Sequence, residues 1–252
     1  MNDTMNPKTW MVLLILVISF AISQVIWGGI IRPAADTVMA SGGTVAMTNL
    51  FVILKDTEQQ ICFALMLFCI ALMFYKLFNL TKQEPLYNND FLESFPKDEP
   101  LDVDKAIAYL EAFDFKDNPV MATWINCLRR FKTTEDVQNA AQAIGESADS
   151  IATSLESGNG MVRYIIWAIP SIGFIGTVRG IGTALAQADE ALAGDISGMV
   201  ASLGVAFNST LVALFISILL MFLMHLLNQA QDAMVLKTQH SCEKNLLTHL
   251  HQ

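Results

Sequence analysis

Four long apolar segments are separated by polar sequence along the 252 residues of the chain. They cover residues 9–31, 59–80, 164–186 and 196–227, and each exceeds the length of about 20 residues with which an α-helix crosses a bilayer. The polar residues 81–160 show helical spacing and no strand alternation. The pattern predicts an all-α integral membrane protein with four transmembrane helices and a helical domain between the second and the third.

The same pattern divides the chain into four regions. They are an N-terminal transmembrane hairpin (1–80), an acidic helical domain (81–160), a second pair of transmembrane helices (161–228) and a tail (229–252). As a helix, the fourth apolar segment would be about 48 Å long, against a hydrocarbon core of about 30 Å. Its last turns are therefore predicted to leave the membrane and to pack against the helices of the acidic domain.

Three helices are predicted within the acidic domain. Apolar spacing indicates one from Asp102 to Phe115, a second that opens at Pro119, and a third over 137–155. Proline is tolerated in the first turn of a helix because its missing N–H has no partner there. Thr133 followed by Asp136 predicts a capping box, with Asp in place of Glu, at the start of the third helix.

Composition agrees with a membrane protein whose polar domain is acidic. The mean hydropathy is +0.44, and charged residues make up 15% of the chain, against about 25% in soluble domains. Residues 81–160 contain fifteen Asp/Glu and seven Lys/Arg, so they supply most of the net charge of −9. Such a surface disfavours nucleic acid and anionic lipid headgroups as partners, because both carry negative charge.

Lysine and arginine are distributed unevenly between the two sides of the predicted membrane helices. The side of the termini and the acidic domain has five near helix ends and the other side has two: Lys8, Lys76, Lys82, Arg163 and Lys237 against Arg32 and Lys55. Cytoplasmic flanks carry the excess of these residues. The termini and the acidic domain are therefore predicted to be cytoplasmic, and no cysteine falls in a predicted external loop where a disulfide would form.

Small and hydroxyl residues interrupt the last two apolar segments. In the third, Gly173, Gly176 and Gly180 surround Thr177, and in the fourth Asn208, Ser209 and Thr210 are consecutive. Small residues let membrane helices pack backbone to backbone, and hydroxyls there bond across helices or line a polar path. The pattern predicts two closely packed helices beside an ion pathway.

A proton relay through hydrocarbon requires a titratable group or a water wire, and a buried carboxylate is the usual relay. Neither segment contains an Asp or Glu between Arg163 and Asp189 or between Asp195 and His225. The carboxylate is therefore expected from another protein.

The sequences IPSIGFIGTVRGIGTAL and GVAFNSTLVALFISI resemble the MotA/TolQ/ExbB proton-channel family. The best marker is Gly176-Thr177-Val178 followed by Gly180 and preceded by Pro170 and Gly173. The resemblance implies a homopentamer in the bacterial inner membrane, around a dimer of a single-span partner similar to ExbD, TolR or MotB. That partner's membrane aspartate would carry the ion, and no cofactor or metal is implied.

The resemblance also implies roles for individual residues. Thr177 matches the family's pore hydroxyl, although a threonine that bonds its own i−4 carbonyl would look the same in sequence. The fourth-span threonine of the family falls on Ser209 or, by a slip of one residue, on Thr210. Helical spacing places Asn208 on one face with Gly204, and Ser209 on a different face. Pro170 is either a hinge or a static kink.

Arg179 departs from the family, which often has a large aromatic residue at this position. Only about seven residues separate it from the end of its span, so its side chain can reach the interface. It is predicted to be an interface anchor, or else an electrostatic gate or the ion-pair partner of Asp189, Glu190 or Asp195 of a neighbouring subunit.

Two classes of function remain open from the sequence. The first is an ion-channel subunit, for protons or sodium, of a motor complex that powers import, envelope maintenance, flagellar rotation or another process. The second is a membrane scaffold without conduction, which would use the same glycines but would not need hydroxyls at matching depth on two helices. An enzyme is not expected, because P-loop, HExxH, GxSxG and Cys/His metal motifs are missing from the sequence.

Overall fold

A computed structural model describes residues 6–40, 49–87, 90–93, 95, 101–113 and 118–250, except for the side chains of residues 83–87 and 248–249. Every regular element in these ranges is helical, which confirms the all-α prediction. Four helical segments are long and apolar enough to cross a membrane, as predicted: Thr9–Ala40, Thr57–Lys82, Val137–Ala186 and Ser197–Leu246.

The helices are numbered along the chain. They are α1 (Thr9–Ile26), α2 (Arg32–Ala40), α3 (Leu50–Leu54), α4 (Thr57–Tyr87), α5 (Val103–Glu111), α6 (Pro119–Thr134), α7 (Val137–Gly158), α8 (Gly160–Ala186), α9 (Ala188–Leu192) and α10 (Ser197–Ser241). A π-helical turn, Trp27–Ile31, joins α1 to α2, and a π turn, Cys242–Leu246, and a 3₁₀ turn, Leu247–Leu250, follow α10.

The chain forms two compact units. The membrane unit comprises Lys8–Phe74 and Met161–His225, and the loop unit comprises Met1–Pro7, Tyr75–Gly160 and Leu226–Gln252. Large apolar side chains lie on the outside of the membrane unit, among them Val17, Val25, Trp167, Phe174 and Phe215, which are 63–76% exposed. Such an apolar surface is incompatible with a water-soluble monomer and fits lipid or neighbouring subunits.

Three polar contacts join the first span to the end of α3 and the start of α4. Ser23 Oγ donates to the backbone carbonyl of Gln60 at 3.1 Å, and Arg32 Nη2 donates to Gln60 Oε1 at 3.3 Å. The indole Nε1 of Trp27, 1% exposed, donates to Leu54 O at 2.9 Å. These bonds satisfy polar groups that would otherwise be costly to bury, and they position the first turn of α4.

Helices α8 and α10 pack backbone to backbone along one face of α8. A Cβ built on Gly173 would lie 2.5 Å from Ala213 Cβ, one on Gly176 would lie 2.6 Å from Ser209 Cβ, and one on Gly180 would lie 2.7 Å from Ala206 Cβ. Only hydrogen fits there, because ordinary contact begins at 3.4 Å. These are three of the glycines for which the sequence predicts helix packing.

The loop unit has its own hydrophobic core. Leu110 of α5, Trp124 and Leu128 of α6 and Ile144 of α7 are fully buried in it. The chain after residue 229 also contributes to this core, through Met234, Cys242, Leu246 and Leu250. The sequence predicts such packing for the last turns of the segment 196–227, whereas the residues found in this core lie after residue 229, so the prediction for 196–227 stays a prediction.

The helix ends of the loop unit correct one sequence prediction. Asn118 caps α6, with Pro119 in the first turn as expected, and its Oδ1 accepts from Val120 N–H at 2.9 Å. Asp136 caps α7 by accepting from Gln138 N–H at 2.8 Å. Thr133 is not the cap: it lies inside α6, where its hydroxyl donates to Arg129 O at 3.0 Å. Since α6 extends to Thr134, the predicted capping box is wrong.

A buried lysine ties together four parts of the loop unit. Lys76 Nζ donates to Asn6 Oδ1 at 2.8 Å and to Asn159 Oδ1 at 2.9 Å. The amide nitrogen of Asn159 donates in turn to Asn228 Oδ1 at 3.1 Å and to Gln231 Oε1 at 2.6 Å. A buried ammonium group is tolerated only with such acceptors, so this network holds the end of α7 within the loop unit.

Candidate functional site

The hydroxyls of Thr177 on α8 and Thr210 on α10 form a hydrogen-bonded pair across the two helices. Thr177 Oγ1 lies 3.0 Å from Ala206 O and 3.4 Å from Gly173 O, while Thr210 Oγ1 lies 3.3 Å from Gly173 O. Each hydroxyl has one proton, so each donates to one acceptor at a time. Both side chains are half-buried, and they lie at the edge of the α8–α10 contact.

The contacts of Thr177 show which carbonyl groups its hydroxyl can reach, and its role at the pore stays a prediction. Its shorter carbonyl contact crosses to Ala206 on α10, and the i−4 carbonyl of Gly173 is the longer one. The hydroxyl is therefore engaged between helices as well as with its own helix.

Ser209 lies apart from this pair. It is 1% exposed, its hydroxyl donates to Val205 O at 3.0 Å, and it accepts a long bond of 3.5 Å from Gln59 Nε2 on α4. Of the two residues that the sequence left open, the structure therefore pairs Thr210 with Thr177. Asn208 is half-buried, and its side chain makes no hydrogen bond to any described residue.

Pro170 lies inside α8 and has no N–H to donate to the carbonyl of Ile166. The hydroxyl of Ser217 on α10, 4% exposed, donates to this carbonyl at 3.1 Å. The carbonyl that proline leaves free in the helix is thus satisfied by a neighbouring helix, as membrane helices require. Gly204, the other small residue predicted to pack, has no atom within 4 Å of its Cβ position, so its packing role stays a prediction.

Arg179 pairs within its own chain. Its Nη2 lies 2.8 Å from Glu58 Oε2, and the side chain of Glu58 is 12% exposed whereas that of Arg179 is 51% exposed. The expected partners Asp189, Glu190 and Asp195 are all exposed. Asp195 instead accepts from Ser197 N–H at 3.1 Å at the start of α10, and the Ser197 hydrogen bonds lower the pKa of this carboxyl.

Three residues of this region were missed by the sequence reasoning: Glu58, Gln59 and Ser217. The first two belong to the polar run Glu58-Gln59-Gln60, in the first turn of a membrane helix. Polar residues within a membrane span face protein rather than lipid, so the run was a usable signal. Ser217 had no such signal, because a single serine in an apolar helix is unremarkable.

The fold and these contacts define a multi-pass α-helical membrane protein whose last two spans are in backbone contact and share a pair of hydroxyls. The model of the MotA/TolQ/ExbB proton channel family matches residues 116–240, which include all of α8 and nearly all of α10. The chain belongs to this family. No curated protein and no solved structure matches it.

Proposed function

We propose that the chain is the ion-channel subunit of a membrane motor complex, that the ion is the proton, and that the complex converts the ion-motive force into mechanical work on a partner. The observation that carries the proposal is the Thr177–Thr210 hydroxyl pair. A scaffold would need the glycine face of α8 but would have no use for two hydroxyls from different helices at one depth.

The hydroxyl pair suits a carboxylate that belongs to another protein. A hydroxyl both donates and accepts, so it stabilises a charged and a neutral carboxyl group without titrating. Without it, the carboxylate would face an apolar wall, where desolvation raises its pKa and slows release of the proton. The proposed partner is a dimer of a single-span protein similar to ExbD, TolR or MotB that supplies this carboxylate.

Five copies of the chain are proposed to surround that dimer in the bacterial inner membrane. In support, α8 and α10 have exposed apolar side chains that no described part of the chain covers, including Phe174, Val178, Phe207 and Leu211. The proposed orientation places the loop unit in the cytoplasm. The connections before α4 and before α10 then lie at the outer side.

The test is proton flux in vesicles that contain the complex purified with its native partner, measured with an internal pH-sensitive dye. Thr177→Val keeps the shape of the side chain and removes only the hydroxyl. A hydrogen bond to a charged group contributes about 1.5–3 kcal/mol, so we expect the flux to fall by about tenfold or more, with Thr177→Ser retaining much of it.

Thr183→Val is the matched control on the same helix. The Thr183 hydroxyl is exposed and donates to its own i−4 carbonyl, Arg179 O, at 3.0 Å, so its loss should leave the flux unchanged. The proposal fails if the wild-type complex carries neither protons nor sodium. The role of the hydroxyl pair fails if Thr177→Val conducts like the wild type at equal complex abundance.

A further inference from the structure

The ion pair between Glu58 and Arg179 lies on the glycine face of α8. The Glu58 stem passes so close to this helix that its Cγ lies 3.3 Å from the Cβ position of Gly176. Glu58 is in the first turn of α4, where the helix dipole favours a negative charge. The pair therefore joins the second span to the third, and Arg179 is two residues along the chain from Thr177.

Next to this pair is a buried polar atom without a partner among the described residues. Gln59 is 1% exposed, and its Oε1 accepts no hydrogen bond from any described residue. Its amide nitrogen points to Ser209, and Ser209 Oγ lies 2.6 Å from the same Cβ position of Gly176 that Glu58 contacts. Buried polar atoms without a protein partner are rare and mark places where water or an ion binds.

The surroundings of Glu58 are charged on the side of the short connection before α4. Asp56 precedes the helix, and burial raises the pKa of its carboxyl, with Glu58 adding to this and Lys55 and Arg179 opposing it. Arg32, in the first span, donates a hydrogen bond to Gln60 in the second span. Asp56 and Glu58 thus share this end of the membrane unit with Lys55 and Arg179.

We propose that Glu58 is the ion-entry carboxylate of the channel and that Arg179 closes the entry by pairing with it. This inference rests on the proposed function and adds to it a residue of the second span, a site where a proton enters from the outer side, and a gate. The bound species is a proton from water, and Gln59 Oε1 with Ser209 Oγ forms the polar continuation inward.

The different exposure of the two partners determines how the gate works. Arg179 is half exposed, so its guanidinium group can move into the outer water. Glu58 is nearly enclosed and cannot follow. When Arg179 moves away, Glu58 takes a proton from a hydronium ion on the outer side. It then passes the proton to water bound at Gln59. Glu58 is thereby charged again and pairs once more with Arg179.

A double-mutant cycle on the reconstituted complex tests this, with proton flux as the readout. We expect Glu58→Gln, which keeps the shape and the hydrogen bond to Arg179, to lower the flux at least tenfold. Arg179→Gln should raise it several-fold. The double variant should behave like Glu58→Gln, because an open gate without the carboxylate gives no entry. Glu58→Asp should retain part of the flux.

Asp36→Asn is the matched control, since Asp36 is an exposed carboxylate in α2 of the membrane unit. Its flux should equal that of the wild type. A purely structural ion pair predicts instead that both single variants lower the flux and the thermal stability together. That result, or wild-type flux in Glu58→Gln, overturns the inference. If Thr177→Val abolishes flux while Glu58→Gln does not, only the entry site is wrong and the proposed function stands.

Discussion

Replacement of Gly180 by alanine tests the backbone contact between α8 and α10. A Cβ on Gly180 would lie 2.7 Å from Ala206 Cβ and 2.9 Å from Ala206 N and Cα, well inside the 3.4 Å of ordinary contact. Backbone atoms cannot rotate away, so the helices must separate. Gly182, two residues further on, has no atom within 4 Å of its Cβ position and serves as the matched control.

The magnitude follows from the difference between the two variants. Both gain the same helix propensity on changing Gly to Ala, about 1 kcal/mol, so this contribution cancels. What remains is the cost of overpacking at position 180, typically about 1–3 kcal/mol. We therefore expect Gly180→Ala to be less stable than Gly182→Ala by about this amount.

The assay is unfolding of the detergent-purified complex by heat or by SDS titration, with the two variants compared at equal concentration. Equal stability of the two variants would show that the helices do not approach at Gly180 as described. Lower stability of Gly182→Ala would place the tight contact on the opposite face of α8.

Two further predictions concern polar contacts. Gly158→Ala should displace the Asn6 amide, which contacts the Cβ position of Gly158. The bond from the Lys76 ammonium to Asn6 would then be lost, at a cost of about 1–3 kcal/mol of stability. Gly160→Ala is the control and should not lower the stability, because the space around the Cβ position of Gly160 is open. Thermal unfolding measures both, and in an Asn6→Ala background the two variants should become equal. Ser217→Ala should destabilise the complex by about 1–3 kcal/mol because it leaves Ile166 O unpaired. The same change should cost less in a Pro170→Ala background, where the helix itself supplies the missing N–H; an equal cost in both backgrounds would refute this explanation.

The spans were predictable because they depend on properties that follow directly from sequence. The predicted third span, 164–186, ends where α8 ends, at Ala186, and the predicted fourth, 196–227, starts one residue before α10. The glycine face of α8 was also predictable, because Gly173, Gly176 and Gly180 recur at helical spacing. Such features need only length, hydropathy and periodicity.

The pairing of side chains was not predictable in the same way. The neighbours of Arg179 depend on how α4 packs against α8, and Glu58 is 121 residues away in sequence. The choice between Ser209 and Thr210 depends on the rotation of α10 about its own axis, which decides which side of this helix meets α4 and which side meets Thr177. The spacing of small residues in the sequence does not determine this rotation. The start of α7 at Val137 was predicted correctly, but its cap was misassigned because Thr133 and Asp136 both fit a cap. Only the left-handed conformation of Glu135, with a φ of 51°, ends α6 before Asp136.

The bond between Ser217 and Ile166 has a consequence for how the protein is made. Alone in lipid, α8 would present a carbonyl that Pro170 cannot satisfy, and an unsatisfied backbone group in hydrocarbon costs several kcal/mol. The donor comes from α10, which is synthesised later. Stable integration of α8 therefore waits for α10, and the two should leave the insertion machinery as a single hairpin rather than one after the other.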